Sequence, residues 1–288
     1  MNDVSNPASA ERIAQGIYSG ISSEQYHRLG NISKSGLWTI YTKTPAHYRF
    51  AEPKESQAFD FGSAVHTAIL EPNSFERAVM RGPADRRGNL WKDSVAEATN
   101  RGRMILTSGD YDAVLEVRDA VHANAFINSL ITGGTPQIEQ TAIWDERVTI
   151  DGSEYVIPCR ARPDLVRPDL GIMLDVKTTQ SASAAEFARS VANYGYHVQE
   201  YWYGRGWGAA GGGVIKGTVF LAIEKEAPYA MQVFELDPTS VAEGGAIAEK
   251  ALRTYAECMA SGHWPAYPDQ VTQIMIPKWA YRELNGAA

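Results

Sequence analysis

Arg162-Pro163-Asp164-Leu165 and Leu174-Asp175-Val176-Lys177-Thr178 are the stretches whose reading decides the fold, with Asp175 eleven residues after Asp164. Together they read as one strand ending in a carboxylate, a short turn, and a second strand carrying Asp-x-Lys. Residues two apart on a strand share a face, so Asp175 and Lys177 are expected to project together while Val176 faces the core. Carboxylates paired beside a lysine are what metal-assisted phosphodiester cleavage needs. The carboxylates hold a hard divalent cation, and the lysine places a fixed positive charge near the attacking water. A structural ion pair between Asp175 and Lys177 is the competing reading, and a single Asp at a strand end is ordinarily a turn former.

Around this pair the pattern is strand-rich. Residues 139–150, 154–161 and 171–176 read as strands, the first two joined by an Asp151-Gly152 hairpin turn. Helices are expected over 184–191 and 197–207, strands over 215–223 and 229–236 after Gly211-Gly212-Gly213, and a last helix over 239–261. The N-terminal side reads as helical. Residues 32–50 start at a Ser33 or Ser35 cap and stop before Thr44-Pro45, 60–70 stop at Glu71-Pro72, and 111–130 form one long helix through Val114, Val117, Val121 and Phe126. Residues 81–103, dense in Gly and Arg, read as an irregular excursion. The expected architecture is a single mixed α/β domain over 16–270, mainly helical to 135 and sheet-bearing over 136–262. A loose terminus (1–15) and a tail (271–288) flank it.

The chain has 288 residues, 44% of them hydrophobic, an ordinary composition for a globular protein. No apolar run approaches a membrane span, and the polar start lacks a signal-peptide core, so a cytoplasmic protein with no membrane partner is expected. Cys159 and Cys258 stand far apart, which excludes a zinc ribbon or a four-cysteine iron–sulfur cluster built within this chain. The net charge of −7 argues against a broad basic face for nucleic acid. Positive charge is nonetheless clustered at Arg77, Arg81, Arg86, Arg87 and Lys92, which suits either local phosphate contacts or a solvated loop.

Three further positions attach to the central pair. Glu139, at the start of the preceding strand, adds a possible third carboxylate. His66 lies on the short helix with Gly62 one turn earlier, where a lone histidine is as readily a core residue as a ligand. Gln199 and Tyr203, four apart on one helical face, could reach phosphate or hold the lysine, or simply pack on the sheet.

Taken in order, Gly62-x-x-x-His66, Glu139, Asp164, Asp175-x-Lys177 and Gln199-x-x-x-Tyr203 resemble the PD-(D/E)XK nuclease superfamily in its RecB-like branch. Within it the chain resembles the RecE-type phage exonucleases, the exonuclease VIII group. Ile21-Ser22-Ser23-Glu24-Gln25-Tyr26-His27, Ile32-Ser33-Lys34-Ser35-Gly36-Leu37, Thr44-Pro45-Ala46-His47-Tyr48 and Trp264-Pro265-Ala266-Tyr267 are similar to that group's ends, so the resemblance covers roughly 18–268. The resemblance implies a PD-(D/E)XK core whose central mixed sheet is flanked by helices. It makes His66, Glu139, Asp164 and Asp175 ligands of Mg²⁺ (or Mn²⁺) and Lys177 catalytic, and the Val176 carbonyl beside them is a further candidate ligand. Gln199 and Tyr203 then support the site and contact DNA, and Arg86 and Arg87 of the basic cluster are expected as further DNA contacts.

Where some relatives in that branch place a cluster cysteine before the proline, this chain has Thr44, so no iron–sulfur cluster and no zinc are expected. The implied activity is 5′→3′ degradation of linear double-stranded DNA from its ends, generating single strands for recombination. A ring-like homo-oligomer and a single-strand annealing partner are implied with it. A structure-selective endonuclease, a non-catalytic DNA-binding protein on the same fold and a phosphoesterase of small nucleotides are the alternatives.

Overall fold

The computed structural model describes residues 13–51 and 61–277. Most of the expected loose terminus, residue Asp60 and the end of the tail lie outside the described residues. The chain opens with β1 (Gly16–Tyr18), α1 (Ser23–Arg28), α2 (Lys34–Thr42) and α3 (Pro45–Arg49). Next come α4 (Phe61–Leu70), α5 (Pro72–Ala78), β2 (Val79–Arg81), α6 (Asn89–Asn100), β3 (Met104–Leu106), α7 (Ser108–Ala123) and α8 (Ala125–Thr132). The second half holds β4 (Gln137–Ile138), β5 (Thr141–Ile150), β6 (Ser153–Ala161), β7 (Leu165–Arg167) and β8 (Ile172–Thr179). It continues through α9 (Ala184–Tyr194), α10 (Tyr196–Ala209), β9 (Gly217–Glu224) and β10 (Met231–Glu235) to α11 (Pro238–Ser261). No helix among the described residues is long and apolar enough to cross a membrane.

The central sheet runs β10-β9-β8-β7-β4 and is mixed. β8 and β9 are parallel, joined by the α9–α10 crossover, and the other pairings are antiparallel. A second, antiparallel sheet runs β1-β5-β6, and β2 and β3 form a small parallel pair. This is the expected mixed α/β architecture with a helical N-terminal portion.

Strand alternation divides β8 between two layers. Leu174 and Val176 join Leu165, Leu221 and Ile223 against Ala64, Val65 and Ala68 of α4 and Val114, Val117 and Val121 of α7. Met173 points the other way, to Trp207 of α10, and Asp175 and Lys177 share that direction. α10 is itself held between β5, β6, α2 and the long α11, with Trp144 and Trp202 at the centre. Gly244 lets α11 lie close on α10, since a Cβ there would collide with the His197 backbone.

Three expectations need correction, and a fourth, the stop at Glu71-Pro72, holds but is incomplete. Residues 81–103 are not irregular: α6 occupies the middle, with Trp91, Val95 and Ala98 at helical spacing packed on Ile105. Glu71-Pro72 ends α4 but also begins α5, because a proline at the first helical turn forfeits only an N–H that has no partner there. The helix over 111–130 breaks at Asn124, whose side chain accepts the Ile127 N–H as an N-cap, and Phe126 is 60% exposed instead of buried. Asp164 does not end a strand paired in line with β8. β6 stops at Ala161, Pro163 interrupts the ladder, and Asp164 sits just before β7, the actual neighbour of β8.

Candidate active site

β7 and β8 are antiparallel, with Leu165 opposite Leu174, so Asp164 at the mouth of β7 faces the Asp175-Val176 segment. The Asp164 carboxylate accepts the Val176 N–H at 2.8 Å, which ties the two motif halves together. β4 pairs with β7, and the Glu139 N–H donates to the Asp164 carbonyl at 3.0 Å. Glu139 is not on a strand as expected. It occupies a left-handed turn (φ 51°) between β4 and β5, a conformation that aims its carboxylate at Asp164. The fourth contributor comes from the opposite layer. α4 packs on β8 so that His66 Nε2 donates to the Val176 carbonyl at 2.6 Å, while Nδ1 stands 3.3 Å from Asp164 Oδ2.

His66, Glu139 and Asp164 thereby offer ligand atoms all within 4.8 Å of one another. Burial and then the charge of Asp164 push Glu139 up to about 7, and burial and then Asp175 raise Asp164. With Nε2 donating, the Nδ1 lone pair of His66 faces a carboxylate oxygen, and two acceptors at that separation call for a cation or a proton between them. Crowded, partly desolvated carboxylates beside an imidazole acceptor fit a hard divalent cation, whose charge would hold them ionised.

Asp175 lies outside this triad. It is 2% exposed, accepts from Gln199 Nε2 through one oxygen and contacts the Lys177 ammonium with the other. Lys177 also donates to Gln199 Oε1 at 3.4 Å. Burial works against the Lys177 ammonium, but Asp175 and Asp164 outweigh it and hold its pKa above the usual lysine value. Lys177 is thus held as an ammonium against Asp175. Tyr203 packs between two core clusters. Its phenol is pushed well above the ordinary tyrosine value by burial, helped by Tyr26 and the carboxylates, and stays neutral.

These groups open onto a cleft of about 1160 Å³ lined by Gly62, His66, Glu139, Arg162, Lys177 and Tyr196 among others. Arg86 and Arg87 do not line it. They are exposed and ion-paired to Asp110 (2.7 Å) and Asp85 (3.2 Å). The cation facing the carboxylates is instead Arg162, 3.9 Å from Glu139. Thr141 Oγ1 (3.0 Å) and the Ile21 carbonyl (2.7 Å) hold its guanidinium, which lies 4.3 Å from the centroid of the Tyr26 ring. Sequence reasoning quoted Arg162 without assigning it, although its place two residues before Asp164 was the available signal. Tyr196 and Lys34 were missed in the same way. Lys177 lies over the Tyr196 ring at 4.7 Å, and burial and the charge of Lys177 push Lys34 down to about 8.

The profile of a PDDEXK-like domain of unknown function matches residues 43–275. A solved structure from Eubacterium rectale, provisionally assigned as an exonuclease, is similar with a TM-score of 0.55 at 15% identity, over 90% of this chain and 97% of that one. A phage-related exonuclease from Haemophilus somnus 129PT is more distant, with a TM-score of 0.34 at 10% identity over 81% of this chain and 96% of that one. No curated protein is significantly similar in sequence. The Eubacterium rectale likeness establishes a shared fold, and with the profile covering most of the sequence, the chain belongs to the DUF3799 family of PDDEXK-like domains.

Proposed function

We propose that this protein is a metal-dependent deoxyribonuclease, and that it degrades linear double-stranded DNA from its ends in the 5′→3′ direction. The observation that carries the reading is the convergence of His66, Glu139 and Asp164 in one cleft beside a lysine held by Asp175 and Gln199. A binding-only protein has no need of a partly buried lysine kept charged beside two carboxylates. The direction, the preference for ends and a role in recombination rest on the resemblance to RecE-type exonucleases. A ring-like assembly and an annealing-protein partner rest on that resemblance alone.

His66, Glu139 and Asp164, with the buried Asp175 and the Val176 carbonyl behind them, would hold Mg²⁺ or Mn²⁺. When bound, such an ion supplies an activated water and neutralises charge on the phosphate. The Lys177 ammonium, fixed by Asp175 and Gln199, orients the incoming water and offsets negative charge on the phosphoryl oxygens. Arg162, anchored at Thr141 and Ile21, presents a guanidinium beside Glu139 in the cleft, suited to a non-bridging phosphate oxygen.

The test pairs a linear duplex labelled at one 5′ end with a covalently closed circle, in Mg²⁺ or EDTA. Early Mg²⁺-dependent release of labelled mononucleotide from the linear DNA, with the circle intact, supports the exonuclease. A nicked or linearised circle replaces it with an endonuclease. An inert protein with either Mg²⁺ or Mn²⁺ removes the nuclease reading.

A further inference from the structure

The Tyr194-Gly195-Tyr196 turn between α9 and α10 carries a feature that the cleavage chemistry does not use. Tyr196 lines the cleft beside Lys177, and its ring is stacked on buried Phe220, with centroids 5.9 Å apart and planes at 20°. Tyr194 stacks on Tyr196 in turn, at 5.8 Å and 26°. Three near-parallel rings thus run from the core, past the lysine, to the surface. The outermost, Tyr194, is 60% exposed.

The turn is built to hold that ring. Gly195 takes a left-handed conformation (φ 66°), and a Cβ there would meet the Trp38 ring at about 2.7 Å, so no other residue fits without displacing it. Beneath it the buried Lys34 of α2 donates to the Tyr194 carbonyl at 2.5 Å, and its ammonium lies 5.7 Å from the Trp38 ring and 5.9 Å from the Tyr196 ring. This also gives a role to the Ile32-Ser33-Lys34-Ser35-Gly36-Leu37 segment, whose lysine the cleavage chemistry does not require.

We propose that Tyr194 is a stacking platform for an unpaired nucleobase of a DNA strand at the cleft. A largely exposed ring at the end of such a stack can accept any base, because every base presents a π-face. Lys34, bonded to the Tyr194 carbonyl, places positive charge beneath it, favourable to the strand's phosphates. The identity of the ligand as DNA rests on the nuclease reading, but the platform does not depend on cleavage.

The experiment measures binding of a short fluorescein-labelled oligothymidylate to the full-length protein in EDTA, where no hydrolysis occurs. Tyr194→Ala is expected to weaken binding by about 5- to 150-fold, while Tyr194→Phe and Tyr194→Trp stay within about threefold of the parent. A 5-iodouracil oligonucleotide should photocrosslink to Tyr194 in the parent. Equal binding by parent and Tyr194→Ala overturns the platform, as does equal loss in Tyr194→Ala and Tyr194→Phe. A parent that degrades duplex DNA but does not bind the single strand overturns the platform and leaves the nuclease reading standing. Tyr194-dependent binding by a protein inert with Mg²⁺ and Mn²⁺ does the reverse.

Discussion

At the residue scale, the candidate site is a set of acceptors brought together at a cost. Glu139, Asp164 and His66 face one another in a partly buried cleft, and the raised values of both carboxyls record that crowding. If a divalent cation relieves it, Glu139→Gln should weaken Mn²⁺ binding in a calorimetric titration. The loss should exceed the about 10- to 100-fold typical of removing a supporting hydrogen bond. Unchanged Mn²⁺ affinity would remove Glu139 from the ligand set. Gln199→Ala leaves His66, Glu139 and Asp164 in place but removes one hydrogen bond each from Lys177 and Asp175, so it should lower turnover by about 10- to 100-fold with metal affinity moved less. An equal loss in both would assign Gln199 to metal binding instead.

Glu200, on α10 away from this cleft, gives a separate pH test. It is 8% exposed, accepts the Thr218 N–H at 3.1 Å through one oxygen, and its other oxygen has no hydrogen-bond partner. Burial pushes it up to about 7. A carboxyl raised on folding binds its proton more tightly in the native state. The stability this confers is complete below the unfolded value near 4.5 and is lost as the pH rises through about 7. Glu200→Gln should therefore match the parent at pH 4 and exceed it by about 3 kcal/mol at pH 8 in denaturant unfolding. A parent at least as stable as the variant at pH 8 would contradict this.

At the element scale, the parts that followed periodicity were legible and the parts that followed tertiary contact were not. The alternation of Leu174, Asp175, Val176 and Lys177 could be read directly, because one face of β8 meets α4 and α7 and the other meets α10. The helical spacing of Gln199 likewise placed it where Asp175 and Lys177 receive it. Glu139 was assigned to a strand because Thr141 onward is one, and only the bond from its N–H to the Asp164 carbonyl defines the left-handed turn it adopts. Arg86 and Arg87 drew attention as a basic cluster, but Asp110 and Asp85 supply their partners; Asp85 is a near neighbour in sequence, while nothing local announces the pairing of Arg86 with Asp110. The close approach of α10 and α11 was equally invisible. Gly244→Ala places a methyl against the His197 backbone and should destabilise the fold by about 1–3 kcal/mol. An unchanged unfolding midpoint would show that α11 shifts without penalty.

At the scale of the whole molecule, the helical N-terminal portion and the sheet-bearing part do not stand apart. α4, α7 and α8 bury the face of the central sheet that carries Leu165, Leu174, Val176, Leu221 and Ile223. The cleft has one wall from each portion, with His66 from the first and Glu139, Arg162 and Lys177 from the second. The sheet-bearing part produced alone from residue 136 should show no cooperative unfolding, since that apolar face would be open to water. A fragment that melts cooperatively would contradict the single-core account. The most direct test of the central claim is hydrolysis of linear duplex DNA by the parent and by Lys177→Ala, each in Mg²⁺ and in EDTA, with thermal unfolding recorded for both. The account predicts Mg²⁺-dependent hydrolysis by the parent and a loss of about 100-fold or more in a variant that still folds. A parent inert with Mg²⁺ and Mn²⁺, or a folded Lys177→Ala as active as the parent, would contradict it.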